Sequence, residues 1–176
     1  KFNEFYSLTI VHSRDIILVK GVDYMNITKQ KSQKTFDKQA ADYDTNIQGE
    51  HARKLYKPII ENLKNKNIHS ILDLGCGTGA LLKEIKELNI AEQLFGIDIS
   101  PNMLEIAENK LGNDATLILG DSERLPFEDS SFDAIVCNDS FHHYPQPDIV
   151  EKEVSRCLKQ NGVFIIGDCW QPIGAR

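Results

Sequence analysis

Tryptophan occurs once in the 176 residues, methionine twice, cysteine four times and proline six times. Cys76, Cys137, Cys157 and Cys169 show neither CxxC nor Cys/His ligand spacing, so they indicate no zinc site and no disulfide framework. Reduced thiols fit a cytosolic protein better, and the cytoplasm is the expected location. No run approaches the roughly 18 apolar residues of a membrane span. The first residues also lack the basic region, long apolar stretch and small-residue cleavage site of a secretory signal. Positive charge is short as well. Twenty Lys and Arg against 26 Asp and Glu leave a net charge of -6, the wrong sign for a nucleic-acid partner. The short cluster Lys29, Lys31, Lys34 and Lys38 reads as a solvated helix face. There is no internal repeat and no low-complexity segment.

What remains is a chain of ordinary globular composition, 41% hydrophobic and 26% charged, long enough to form one domain with a substantial core. Helix is predicted from Gln33 to Asp44 and from Glu50 to Lys64, with Pro58 as a possible kink. Strands and helices then alternate. Strands are expected at Ser70 to Leu74, Leu94 to Asp98, Thr116 to Leu119, Phe132 to Asn138 and Val163 to Asp168. Between them lie helices at Ala80 to Leu88, Pro101 to Leu111 and about Asp148 to Lys159. Ser100-Pro101 reads as an N-cap with a first-turn proline, and Asn161-Gly162 as a helix stop. Short continuous apolar strands separated by helices point to a doubly wound, mostly parallel sheet in a three-layer α/β/α arrangement. The first 24 residues break this rhythm. Phe5 to Val11 and Ile16 to Val19 are β-rich runs around the polar turn His12 to Asp15, which reads as a hairpin; Met25 then begins a polar helical entry, which places a junction near Gly21 to Tyr24.

The stretch SILDLGCGTGALL, Ser70 to Leu82, turns from strand into three glycines and then into helix. Glycines at a strand end admit positive φ and let another group approach the main chain, and the start of the next helix offers free N–H groups to a ligand. A dinucleotide site would use GxGxxG to seat a pyrophosphate. Here the pattern is Asp73, Gly75, Gly77, Gly79, with an acid one step before the loop. A carboxylate there repels a diphosphate and attracts an ammonium, so the ligand reads as zwitterionic rather than polyanionic.

At these residues the sequence resembles the class I S-adenosylmethionine-dependent methyltransferases, in particular the small-molecule branch similar to ubiquinone and menaquinone C-methyltransferases. The resemblance runs from about Thr35 to Asp168 and is carried further by LFGIDISPNML, GDSERLPFEDSSFDAIVCNDSFHHYP and CLKQNGVFIIGD, in that order. It implies a Rossmann-like fold with sheet order 3-2-1-4-5-7-6, counting Ser70 to Leu74 as strand 1. It also implies S-adenosyl-L-methionine as cofactor and methyl transfer to a small-molecule acceptor. By the same resemblance Asp73, Gly75, Cys76, Gly77 and Gly79 border the cofactor, and Asp98 accepts hydrogen bonds from both ribose hydroxyls. Ile99 and Met103 pack on adenine, Asp121 and Ser122 meet its amino edge, and Asn138 faces the sulfonium region. FDKQAADYD, Phe36 to Asp44, corresponds to a helix covering the cofactor, with Tyr43 near the methionine moiety. On the residues alone, Asp98 reads equally well as a cap for the Pro101 helix, Asp121 as a turn former and Tyr43 as packing.

His142 and His143, with Asp139, lie in the loop after the fourth parallel strand, where a general base for the acceptor would sit. Asp168, Cys169 and Trp170 follow the fifth strand toward the acceptor pocket. The chain departs from the resembled family in one respect. Lys1 to Gly21 resembles the family's terminal hairpin, which implies a chain out of family order, as by circular permutation, with an intervening helix absent. The expected organisation is one domain: residues 1–24 as the hairpin, 25–69 as cofactor-covering helices and 70–168 as the core. In that arrangement Ile16 to Val19 pairs antiparallel with Val163 to Gly167, and Phe5 to Val11 lies outside it. The alternative function is a non-catalytic module that binds S-adenosylmethionine or S-adenosylhomocysteine; a nicotinamide-dependent oxidoreductase is disfavoured by the glycine spacing.

Overall fold

The computed structural model describes residues 6–12, 25–47 and 49–169. Six strands form one sheet: β1 (Tyr6–His12), β2 (Ile68–Leu74), β3 (Ala91–Asp98), β4 (Thr116–Leu119), β5 (Phe132–Asn138) and β6 (Leu158–Cys169). The helices are α1 (Met25–Gln39), α2 (Glu50–Leu63), α3 (Ala80–Glu87), α4 (Pro101–Leu111) and α5 (Pro147–Cys157).

The strand order is β1-β6-β5-β2-β3-β4. The neighbours from β4 to β6 are parallel, and β1 is antiparallel to β6. The five parallel strands thus have the expected 3-2-1-4-5 arrangement. Their side chains alternate between two cores, as a strand's period of two requires. Ile71, Ala134, Val136 and Ile165 join α2, α3 and α4 on one face. Leu72, Ile135, Cys137 and Phe164 join α5 on the other. This is the α/β/α layering read from the sequence.

The antiparallel strand is not the one expected there. Tyr6–His12, rather than Ile16 to Val19, pairs with Val163–Cys169, in an unbroken register from Tyr6↔Cys169 to His12↔Val163. Seven residues cover that edge fully, where the four of Ile16 to Val19 would have left nearly half its backbone groups without ladder partners. Ile16 to Val19, and with it the second hairpin strand and the junction near Gly21 to Tyr24, lies outside the described residues.

Two helices also differ from expectation, α1 and α5. Helix α1 begins at Met25 and gives way after Gln39 to a 3-10 turn over Ala40–Asp42. Pro58 lies within α2 without ending it. Helix α5 stops at Cys157, and β6 starts at Leu158, so Asn161 with its φ of 69° lies within the strand, beside an irregular register, rather than after a helix. Ser100 caps α4 as expected, its hydroxyl accepting the Met103 N–H at 3.2 Å.

Candidate functional site

A cleft opens beyond the C-terminal ends of β2, β3 and β5, where the loops after the strands converge, as in other open α/β sheets. After β2 the chain passes through Gly75 and Gly77, with φ of 70° and 52°, into Gly79 at the start of α3. The three glycines do different jobs. A Cβ on Gly75 would collide with the Ser140 side chain. One on Gly77 would meet nothing within 4 Å, so the backbone there faces open space at the cleft. One on Gly79 would stand 2.7 Å from Leu111 Cδ1 and 3.1 Å from Ala107 Cβ. Gly79 therefore lets α3 approach α4 and does not line the cleft, a correction to its expected place beside the cofactor.

The remaining cofactor candidates do line it: Tyr43, Asp73, Gly75, Cys76, Gly77, Asp98, Ile99, Met103, Asp121, Ser122 and Asn138. Asp73 is 2% exposed, and its Oδ1 has no hydrogen-bond partner among the described residues; nor has Asn138 Oδ1. Burial, and after it the charge of Asp98, pushes the Asp73 carboxyl up to about 8. Asp98, 8% exposed, accepts the Gly77 N–H with Oδ2 and the Ser100 N–H with Oδ1, both at 2.8 Å. Burial raises its pKa, opposed by the backbone N–H groups that point at it. Since Ser100 provides the α4 cap, the cap reading of Asp98 falls away.

The N-terminal segment closes one side of the cleft. Helix α1 has little apolar character, and polar clasps hold it and the turn after it to the loops that follow β2, β3 and β4. Lys29 Nζ bonds Asp121 Oδ2 at 2.6 Å and also the Glu123 carboxylate. Asp37 Oδ1 accepts the Ser100 hydroxyl at 2.6 Å, and its carbonyl accepts Asn102 Nδ2 at 3.0 Å. Asp44 accepts the Thr78 hydroxyl and pairs with Lys110 at 2.6 Å. Lys29 is thus not part of a solvated face, whereas Lys31, Lys34 and Lys38 are exposed. Burial works against its ammonium, but the bonds and charges of Asp121 and Glu123 prevail and hold its pKa above the usual value. Tyr43 lies between these clasps, its phenol pushed up to about 12 by burial and then by Asp139, so it is a donor and not a base at neutral pH.

The two histidines separate. His143 lines the cleft and meets Phe36 of α1 edge-on, ring centroids 5.1 Å apart. Burial, and then neighbouring His142, lowers its pKa to about 4, which leaves a neutral imidazole at pH 7. The described cleft lining does not include His142. Its Nδ1 lies 2.6 Å from Asp168 Oδ1, and its backbone N–H donates to Asp168 Oδ2 at 3.0 Å. Asp168 therefore orients His142 instead of simply lining the acceptor side. Asp139, His142 and Asp168 bring one ligand atom each within 4.8 Å of one another, the one group of metal-ligand spacing among the described residues. Trp170 and the side chain of Cys169 lie outside the described residues.

Sequence reasoning missed Lys29, Thr78, Ser140 and Tyr144, all of which line the cleft, as does Phe36 from the segment expected to cover the cofactor. Tyr144 joins the loops, its hydroxyl 3.0 Å from Ser140 Oγ and 3.2 Å from Ser122 Oγ. Its place directly after His142-His143 was the available signal.

Residues 72–166 match the family described as "Methyltransferase domain". The chain is 34% identical over 148 residues to a demethylmenaquinone methyltransferase of Thermotoga maritima, covering 82% of this chain and 64% of that protein. It is 35% identical over 125 residues to sterol 4-C-methyltransferase strm-1 of Caenorhabditis elegans, covering 68% of this chain and 36% of that one. Among solved structures, the YcgJ protein of Bacillus subtilis superposes with a TM-score of 0.63 at 28% identity, covering 69% of this chain and 53% of the other. The chain thus spans about a third to two thirds of the length of these relatives. This chain belongs to the Methyltransferase domain family, within the class I S-adenosylmethionine-dependent methyltransferases, whose cofactor is S-adenosylmethionine. No helix among the described residues is long and apolar enough to cross a membrane.

Proposed function

We propose that this chain transfers a methyl group from S-adenosylmethionine to a small-molecule acceptor. The observation that carries the reading is the buried Asp73 Oδ1, an acceptor without a donor, at the mouth of a glycine loop whose Gly77 backbone faces open space. A buried acceptor so placed calls for a donor from a ligand, and a carboxyl one residue pair before the loop fits an ammonium and repels a diphosphate. Asp73 and Asn138 thus hold the amino-acid end. Asp98, fixed by two backbone N–H groups, presents its remaining lone pairs to the ribose diol. Ile99 and Met103 flank the base, and Asp121 and Ser122 take its amino edge.

When bound, S-adenosylmethionine supplies a methyl carbon already made electrophilic by the sulfonium. The protein's part is alignment, which can be worth roughly 7 to 11 kcal/mol when the geometry is good. Tyr43, Asn138 and His143 border the space where acceptor and methyl group meet. His143, neutral at pH 7, accepts a hydrogen bond from an acceptor hydroxyl or takes its proton, and His142 is the partner that Asp168 orients. The names of the menaquinone and sterol relatives support a small organic acceptor over a macromolecule.

Calorimetry should show S-adenosylmethionine and S-adenosylhomocysteine binding and NAD and NADP not binding. Preference for NAD would overturn the reading. Turnover on a panel of quinol, phenol and sterol acceptors then tests transfer itself, and binding without turnover across such a panel would favour the non-catalytic alternative.

A further inference from the structure

Lysine has three N–H donors and no acceptor. Two of the donors of Lys29 go to Asp121 and Glu123, and the side chain, 19% exposed, lines the same cleft as Asp121, Ser122 and Ile99. Its partners are themselves fixed. Asp121 Oδ1 accepts the Glu123 N–H at 2.9 Å. Glu123, 7% exposed, accepts the Gln146 N–H at 3.1 Å and Gln146 Nε2 at 2.8 Å. An exposed lysine pair would swing freely and contribute little; an ammonium held between two anchored carboxylates in a cleft wall is a placed donor with one N–H not taken by those bonds.

Resting on the cofactor reading above, we propose that Lys29 and Asp121 together read the edge of the cofactor's base: Asp121 accepts from the exocyclic amino group while Lys29 donates to the ring nitrogen beside it. An amino group next to an unprotonated ring nitrogen is a donor–acceptor pair, and both edges of adenine present one. A carboxylate next to an ammonium is its complement. Asp121 alone recognises only the amino group; Lys29 adds the second half of the pattern. Because Lys29 belongs to α1, base recognition and closure of the N-terminal segment become one event.

The test is calorimetric binding of S-adenosylhomocysteine and its 1-deaza and 7-deaza analogues, in which one ring nitrogen is replaced by C–H, to the wild type, Lys29→Met and Lys29→Arg. The wild type should bind one of the two analogues about tenfold more weakly than the parent, as expected for loss of a hydrogen bond to a charged donor. Lys29→Met should bind the parent about tenfold more weakly and no longer distinguish it from that analogue. Lys29→Arg, which keeps a cationic donor, should restore most of the discrimination. A wild type that binds both analogues as tightly as the parent overturns the proposal, as does a Lys29→Met protein that keeps the penalty. Should Lys29→Met fail to fold by circular dichroism, the wild-type comparison decides in the same way. A wild type that binds no S-adenosylhomocysteine defeats the cofactor reading and this inference with it; one that binds it but ignores the ring nitrogens defeats this inference alone.

Discussion

Asp98 Oδ2 accepts the Gly77 N–H at 2.8 Å, so the carboxylate that ends β3 holds the glycine loop that follows β2. With its other oxygen on the Ser100 N–H, Asp98 is both a ligand group and a brace. Asp98→Ala should therefore weaken cofactor binding by roughly 1.5 to 3 kcal/mol or more and also lower stability by about 1 to 2 kcal/mol, because the buried Ser100 N–H and the half-buried Gly77 N–H lose their acceptor. Asp98→Asn, which keeps one acceptor, should lose less of each. Urea unfolding and calorimetry on the same preparations check both, and an alanine variant of unchanged affinity would remove Asp98 from the ligand site.

Gly77 and Gly79 should respond oppositely to alanine. Both have positive φ, which costs a non-glycine residue about 1 to 2 kcal/mol. At Gly79 the methyl group also presses on Leu111 and Ala107, adding about 1 to 3 kcal/mol of overpacking. Gly79→Ala should chiefly lower the unfolding midpoint, while Gly77→Ala should chiefly weaken cofactor binding. Equal binding losses in the two folded variants would contradict this division.

Asp73 and His143 tilt stability in opposite directions with pH. Asp73, raised from 3.8 to about 8, keeps in the folded state a proton that the unfolded chain has lost, so stability falls as pH rises across that window. His143, lowered from 6.5 to about 4, stays neutral when folded while the unfolded chain binds a proton, so its contribution is complete above 6.5 and is lost as pH falls toward 4. The slopes offset each other between about 4 and 6.5, and of the two only Asp73 acts from there to about 8. The ligand-free protein should lose roughly 1 kcal/mol per pH unit in that upper window, and Asp73→Asn should not. Urea midpoints at pH 6.5, 7.2 and 8 measure it; a flat wild-type profile there sinks the assignment.

Cofactor binding follows from the same group. An ammonium beside Asp73 favours the carboxylate, so binding should release a proton and tighten as pH rises from about 6 to 8, below the raised pKa. Calorimetry in two buffers of different ionisation enthalpy reads the proton directly. Asp73→Asn should bind more weakly and release none.

His142 and Asp168 should behave as one unit in turnover, given their 2.6 Å contact. His142→Ala and Asp168→Asn should each lower the rate, and the double variant should be little worse than the more damaging single one. His143→Ala should alter turnover while shifting cofactor affinity only a few-fold. Fully additive losses for His142 and Asp168 would separate the two groups.

Most of the sheet was legible because its strands are continuous apolar runs: Thr116–Leu119 and Phe132–Asn138 occur with the bounds expected of them. The acid before the glycine loop was legible from its charge, whereas the acid ending β3 was legible only through the family resemblance, since on the residues alone it read equally well as a helix cap. Less was legible where a partner lies far along the chain. Helix α1 starts at Met25, where a polar helical entry was expected, but its docking was not legible, because Met25–Ser32 carries no apolar stripe and Lys29 is tied to groups 92 and 94 positions away. Gly79 looked like a ligand glycine until Leu111 and Ala107 were seen beside it. The edge of β6 was expected to receive the more apolar of two runs, and received the one long enough to match it.

The three clasps of the N-terminal segment have a consequence for how the molecule assembles. Their partners are 92, 63 and 66 residues away along the chain for Lys29–Asp121, Asp37–Ser100 and Asp44–Lys110, and contacts of such separation must wait until the loops they grip exist. The segment is held to those loops by polar bonds that can open while the sheet from β2 to β6 stays formed. Its amides should accordingly exchange with solvent by opening locally, at a fraction of the global unfolding free energy. A cofactor bound in the cleft as proposed, which Lys29, Phe36 and Tyr43 line, should slow exchange there first and most, so hydrogen exchange along 29–44 would report occupancy of the cleft before any change reaches the sheet.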